Sequence, residues 1–236
     1  MKTCVVLDLE TTGLRPKTDR ILEIGALKIV DGCTADSYHV LVNPQMQIPY
    51  RIQELTGITQ AMAEEGEESE AALKGFLDFC GELPLLGHNI MFDYSFVKHK
   101  AVNLGLKFEK EAVDTLKIAR MALPDLASRS LAALCRYYHI DQGDAHRALD
   151  DTKSTWQLYQ CLERDFMESR PEIFKPQRLI YTVKKQGPIT FSQKVYLNDL
   201  LRYHRIETNV TIESLTKSEA SRMIDKIILN HGRIKR

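Results

Sequence analysis

Residues 4–13 of the chain read Cys4-Val5-Val6-Leu7-Asp8-Leu9-Glu10-Thr11-Thr12-Gly13, or CVVLDLETTG. The run CVVL has the character of a buried strand. It ends in two acids, Asp8 and Glu10, one residue apart. Strand side chains alternate between faces, so both acids point to the same side at the strand's C-terminal end. Like charges repel, and burial strengthens the repulsion. One reading is a solvated strand end that needs no partner. The other is a divalent cation site, because hard ions take carboxylate oxygens.

Outward from this stretch, residues 20–30 (RILEIGALKIV) alternate apolar residues with polar or small ones and read as a second strand. Residues 36–42 (DSYHVLV) read as a third. The short links predict an antiparallel meander. Residues 50–58 predict one helical turn stopped at Gly57, and residues 63–70 (AEEGEESE) an acidic surface loop before a helix ending near Cys80. LPLLGHN (83–89) predicts a short buried strand with a polar exit. A helix over 91–104, a strand near Val113 and helices over 115–123, 128–139 and about 147–168 follow. Three strands, then alternating strand and helix, predict an α/β fold with a mixed sheet covered by helices on both faces. Ligands in such sheets bind outside the carboxyl ends of the strands, where Asp8, Glu10 and the exit of LLGHN sit.

The 236 residues suffice for one full domain and a smaller one. With 44% hydrophobic and 27% charged residues, the composition is that of a globular protein. The sequence has no apolar run of membrane-spanning length, and its N-terminus meets charge too early for a signal peptide. The five cysteines are scattered and form no CxxC pair. They read as reduced thiols of a cytoplasmic protein, not as a zinc site.

Zero net charge hides an asymmetry. Residues 1–170 hold 19 Lys and Arg against 26 Asp and Glu; residues 171–236 hold 13 against 6, a balance of +7. The basic part suggests an anionic partner such as nucleic acid. Residues 1–170 read as the main domain and the proline-bearing 171–189 as a linker. Residues 190–236 read as a small basic helical module. Its two helices are FSQKVYLNDLLRYH and KSEASRMIDKIILNH, opened by capping boxes at Thr190/Gln193 and Thr216/Glu219, the second stopping at Gly232. Lys184, Lys185, Lys194, Arg202, Arg205, Lys217, Arg222 and Lys226 are available to phosphates, with Tyr196 or Tyr203 to stack a base.

Two more acid-bearing stretches complete the pattern. In GHNIMFD (87–93), Asp93 falls in the first turn of a helix. In HRALDD (146–151), a histidine and two acids open a long amphipathic helix. Each alone reads as first-turn acids favoured by the helix dipole. Together, Asp8, Glu10, Asp93 and Asp151 bring four carboxylates from three segments, with His146 five residues before the last. Such a set suits two divalent ions and a base: paired metals clamp the attacking and leaving oxygens of a phosphoryl displacement. Histidine is the usual neutral-pH proton acceptor.

These ordered motifs, DLETTG with RILEIGA, GHNIMFD and HRALDD, together with TGIT (56–59) and VDTLKIAR (113–120), resemble the DEDD superfamily of 3′–5′ exonucleases. The matching subgroup is the one with a catalytic histidine, in the pattern of the proofreading epsilon subunit of bacterial DNA polymerase III. The resemblance covers about residues 3–165. It implies a ribonuclease-H-like fold with a mixed five-stranded sheet, and two Mg²⁺ or Mn²⁺ ions. Asp8, Glu10 and Asp151 would hold the first ion; Asp8 and Asp93 would reach the second; His146 would be the general base. Thr11, Thr12, Gly13 and Leu14 would cradle the terminal nucleotide, partly by backbone amides, and Ile58, Asn89 and Phe92 would line its pocket. Arg147 would meet a phosphate or simply be solvated. Ideal helical spacing pairs His146 with Asp150, whereas the family spacing selects Asp151. Asp114 reads as a helix cap before Thr115.

The implied activity is hydrolysis of terminal phosphodiesters of single-stranded or frayed DNA to nucleoside 5′-monophosphates. The implied partner is a nucleic-acid 3′ end, with a polymerase or other replication or repair partner for the C-terminal module, and no membrane. Two other readings remain open: an RNA-trimming 3′–5′ exoribonuclease, and a catalytically silent module that binds nucleic acid or a polymerase.

Overall fold

The computed structural model describes residues 1–143, 146–185, 187–208 and 210–234. It divides into two units: Met1–Pro44 with Ile48–Thr182, and Gln45–Gln47 with Val183–Arg236.

In the first unit, β1 (Cys4–Thr11), β2 (Ile21–Val30) and β3 (Cys33–Asn43) form the expected antiparallel meander. Strands β5 (Leu85–Gly87) and β6 (Glu111–Asp114) add in parallel on the other side of β1. The sheet has seven strands, not five, in the order β4-β3-β2-β1-β5-β6-β7. The extra two are the edge strands β4 (Glu67–Glu68) and β7 (Gln177–Arg178), each two residues long. No periodicity can announce so short an element.

Two stretches therefore differ from expectation. After α1 (Tyr50–Thr56), the acidic segment 63–70 is not a plain loop: it ends α2 (Gln60–Glu64), supplies β4 and starts α3 (Ser69–Cys80). Residues 171–182, expected as linker, belong to the first unit. Pro171–Phe174 form a 3-10 turn, β7 pairs with β6, and Phe174 and Leu179 are buried.

Period-two alternation in β1 sorts the core. Val5, Leu7 and Leu9 face one side, against α3 and α4 (Met91–Asn103), in a cluster with Leu73, Phe76, Tyr94 and Phe108. Cys4 and Val6 face the other, in a cluster with Leu27, Ile29, Trp156 and Leu158. That second face is covered by α5 (Thr115–Ala122), α6 (Leu131–Tyr138) and α7 (Ala148–Phe166). Each such side chain contributes roughly 1.5–3 kcal/mol by leaving water. Asp8 and Glu10 continue the Cys4–Val6 line and therefore emerge on the α7 side.

The second unit holds α8 (Phe191–His204) and α9 (Lys217–His231). Both capping boxes form: the Thr190 and Thr216 hydroxyls accept from the Gln193 and Glu219 amides. Gln193 Nε2 donates to the Lys217 carbonyl at 2.9 Å, and His204 Nε2 lies 3.0 Å from the Gly232 carbonyl. The helices therefore run parallel. Between them Leu197, Leu200, Leu201, Leu215, Ala220, Ile224 and Ile227 form a separate core. Among the described residues no helix is long and apolar enough to cross a membrane.

Candidate active site

The site is built where β1 outlasts β5. Strand β5 pairs with β1 only at Val5 and Val6. Beyond it, the Leu9 amide has no strand to meet on that side. Asp93, in the first turn of α4 and 3% exposed, takes over: its Oδ1 accepts from Leu9 N–H at 3.0 Å. The carboxylate is thus pinned to the backbone midway between Asp8 and Glu10.

Asp114 fixes the approach to α4. Its Oδ1 accepts from Leu116 N–H and from Asn89 N–H, both at 2.9 Å. It caps α5, as its sequence position predicts, and ties down the turn where Asn89 adopts a left-handed φ of 66°.

The third segment is the start of α7. Asp151, 6% exposed, accepts from His146 N–H at 3.1 Å and from Gln142 Nε2 at 3.0 Å. His146 sits on the turn before the helix with φ 64°, its side chain exposed. Ligand atoms of Glu10, His146 and Asp151 all lie within 4.8 Å of one another. Asp150 turns away and pairs with Lys153 at 2.7 Å. The structure thus brings Asp151, not Asp150, into the cluster.

Electrostatics tie Asp8 and Asp93 to the same cluster. The Asp8 carboxyl is raised well above the ordinary range, first by burial and then by the charges of Asp93, Asp151, Glu10 and Glu23. Burial, then Asp151, Glu23 and Asp93, push Glu10 up to about 8; the Arg147 charge opposes them. Asp93 and Asp151 are also raised, chiefly by burial, partly offset by the hydrogen bonds they accept. Four carboxyls crowded in this way repel unless protonated or bound to cations. The donor set, carboxylate oxygens plus one imidazole, fits a hard divalent ion.

The remaining sequence candidates fall differently. Thr11 and Thr12 are buried and largely used by their own loop. Thr11 Oγ1 donates to the Gly13 carbonyl, while Thr12 donates its amide to the Arg20 carbonyl and accepts from Arg20 N–H. The Thr12 amide is therefore taken up within the loop, which leaves the expected nucleotide cradle to the other amides of this stretch. Gly13 sits against Asp19, where a Cβ would come within 2.5 Å of the carboxylate. Leu14, next along, is 81% exposed. Phe92 is half-buried, its ring 5.0 Å from that of Phe96. Ile58 is fully buried with Leu22, Ile48 and Ala63 and presents no surface to a nucleotide. Arg147 is more than a solvated side chain: its guanidinium, one-third exposed, grips Glu23.

Glu23 and Gly25 lie inside the RILEIGA stretch but, like Gln142, receive no role from the motifs. Glu23 and Gly25 carry a readable signal: an acid and a glycine two apart, interrupting a buried strand, imply an ion pair and a close approach.

Residues 5–159 match the family model described as Exonuclease. The chain belongs to the exonuclease family. It is 39% identical over 154 residues to the DNA polymerase III PolC-type of Clostridium perfringens, an alignment covering 65% of this chain and 11% of that one. The chain thus spans about a tenth of that relative's length. Among solved structures, the nuclease domain of 3′hExo, a DEDDh family member bound to rAMP, is similar at TM-score 0.63 and 19% identity. That likeness covers 76% of this chain and 98% of the other. Exonuclease X in complex with 5′-overhanging duplex DNA is similar at TM-score 0.57 and 23% identity, over 72% of this chain and 97% of the other. The fold of the first unit is the ribonuclease-H-like fold of DEDDh exonucleases.

Proposed function

We propose that the first unit removes nucleotides from the 3′ end of single-stranded or frayed DNA, releasing nucleoside 5′-monophosphates. One observation carries the reading: Asp8, Glu10, Asp93 and Asp151, from three segments, meet at one strand end, with His146 beside Glu10 and Asp151; Asp8 and Glu10 are raised by burial and by the acids around them, Asp93 and Asp151 chiefly by burial. Mg²⁺ or Mn²⁺, two ions per site, would be held by these four acids. When bound, such ions supply charge neutralisation for the attacking and leaving oxygens of an in-line displacement.

The chain's own residues do the rest. His146, exposed and beside Glu10 and Asp151, accepts the proton of the attacking water. Asp93, locked to the Leu9 amide, and Asp151, locked to the His146 amide, keep their carboxylates in place without reorganisation at the moment of reaction. In this reading Leu14, exposed on the loop after β1, meets the terminal base, and Asn89 and Phe92 are its further contacts.

The basic second unit supplies a further grip on the strand. Its α8 exposes Phe191, Tyr196, Arg202 and Tyr203 along one side, a mixture suited to stacking bases and meeting phosphates. A replication or repair role in the cytoplasm accords with the polymerase relative. RNA trimming is the second reading, favoured by the neighbour solved with rAMP.

The test is a 5′-labelled single strand incubated with Mg²⁺ or Mn²⁺ beside Asp8→Ala and His146→Ala. A metal-dependent ladder shortening from the 3′ end, absent from both variants, is expected. An intact strand, for DNA and RNA alike, would favour the silent binding module instead. Matched DNA and RNA oligonucleotides rank the two substrates.

A further inference from the structure

Asp151 accepts from the His146 amide, but the first turn of α7 has no N-cap side chain of its own. The N-cap residue of α7 is Arg147, and its side chain makes no capping bond. The acceptor comes from β2 instead. Glu23 Oε2 accepts from the Ala148 amide at 3.0 Å. Its Oε1 accepts from Arg147 Nη2 at 2.8 Å and Nε at 3.2 Å, and lies 2.6 Å from His39 Nε2 of β3. Glu23 itself is fully buried. One carboxylate thus grips the two residues that follow His146.

Its place in the sheet is as telling. Glu23 stands directly across from Glu10 in the β1–β2 register. Like charges facing across a ladder are destabilising, and Glu23 adds to the crowding that raises Glu10. A residue serving the fold alone would not be an acid there. A carboxylate at a helix N-terminus, however, meets both the free amide and the dipole, and the two-nitrogen fork of Arg147 fixes its plane.

We propose that Glu23 is a positioning residue: through Arg147 and Ala148 it sets where His146 and Asp151 stand relative to Glu10. This rests on the exonuclease reading, and its test separates the two.

The variants are Glu23→Gln and Arg147→Lys in the full chain, with the pair combined. Glutamine keeps the size but cannot serve both donors as an anion. Lysine keeps the charge but loses the fork. The first readout needs no catalysis: the Mn²⁺ concentration giving half of the metal-induced thermal shift. It is expected to rise about tenfold or more in Glu23→Gln and less in Arg147→Lys, the range typical of residues that orient ligands. The double variant should lose no more than the worse single one, since both break one linkage. The second readout is kcat at a temperature well below unfolding, expected to fall about tenfold or more with KM little changed. Should Glu23→Gln fail to fold, Arg147→Lys carries both readouts alone. Unchanged half-saturation and unchanged kcat in a folded variant would overturn the proposal while leaving the exonuclease reading intact. A wild-type protein that shifts with Mn²⁺ but cuts nothing would overturn that reading, and the first readout would still decide the role of Glu23.

Discussion

Gly25 pairs with Asp8 across the β1–β2 ladder, and the backbone of Ala148 lies directly on it. A Cβ at position 25 would stand 2.3 Å from the Ala148 carbonyl carbon and 2.5 Å from the Leu149 nitrogen. Those are backbone atoms of the first turn of α7, so the helix, not a side chain, would have to move. Gly25→Ala is therefore expected to cost roughly 1–3 kcal/mol by overpacking. It should also lower exonuclease turnover by about tenfold or more, because Asp151 rides on the displaced turn. Thermal unfolding and a 3′-end ladder assay measure the two effects. Full activity at unchanged stability would contradict the close approach.

That close approach also marks where the sequence stops being legible. Alternation puts Asp8 and Glu10 on one face and predicts the meander, because a half-polar strand has only one register that buries its apolar set. Asp114 is readable as a cap from its place before a helix. The partner of Glu23 is not: Arg147 lies 124 residues away, and nothing local to either residue records the meeting. Ile58 shows the opposite failure. Its place in a family motif suggests a pocket wall, yet packing with Leu22 and Ile48 buries it. The edge strands β4 and β7 are invisible because two residues cannot display a period. They exist because neighbouring strands offer them unpaired amides and carbonyls.

Asp8→Asn should stabilise the protein in the absence of metal while abolishing activity. The Asp8 carboxyl is half-buried, and the charges of Asp93, Asp151, Glu10 and Glu23 act on it, so an amide of the same shape relieves repulsion. A rise of about 1 kcal/mol corresponds to a Tm gain of roughly 2–4 °C for a chain of this size. The stabilisation that Mg²⁺ gives the wild type should shrink at the same time. Thermal scans with EDTA and with millimolar Mg²⁺ measure both. A variant less stable than wild type in EDTA would count against the crowded-acid account.

The crowding also fixes a pH dependence. Glu10 is raised from 4.5 to about 8, so the folded protein holds a proton there that the unfolded chain has released. Stability from this group is complete below pH 4.5 and is lost as pH rises toward 8. Asp8, Asp93 and Asp151, also raised, act in the same direction. Glu23, lowered because its hydrogen bonds from Arg147, His39 and Ala148 outweigh burial, acts only at acid pH below that window. Metal-free protein should therefore melt at lower temperature at about pH 8 than at about pH 6. Protons compete with cations for these oxygens, so the Mg²⁺-induced Tm shift should be larger at about pH 8.5 than at about pH 6. A shift that shrinks with rising pH would refute the assignment of these acids as the ligands.

The second unit offers a separate prediction, because its surface can be altered without touching the acids. Phe191 is 82% exposed at the start of α8, and Arg202 and Arg205 are exposed near its end. If this surface holds a single strand, Phe191→Ala should weaken binding of a labelled oligonucleotide by roughly 1–3 kcal/mol, the worth of one stacked base. Arg202→Glu with Arg205→Glu should flatten the plot of log K against log salt by about 0.7 for each phosphate that is no longer neutralised. Binding is read in EDTA, where no cleavage occurs, and turnover of a short trinucleotide in Mg²⁺ should stay unchanged, since the acid cluster is intact. Unaltered affinity and salt slope in these folded variants would remove nucleic acid as the occupant of the surface and leave a protein partner as the reading of its exposed aromatic residues.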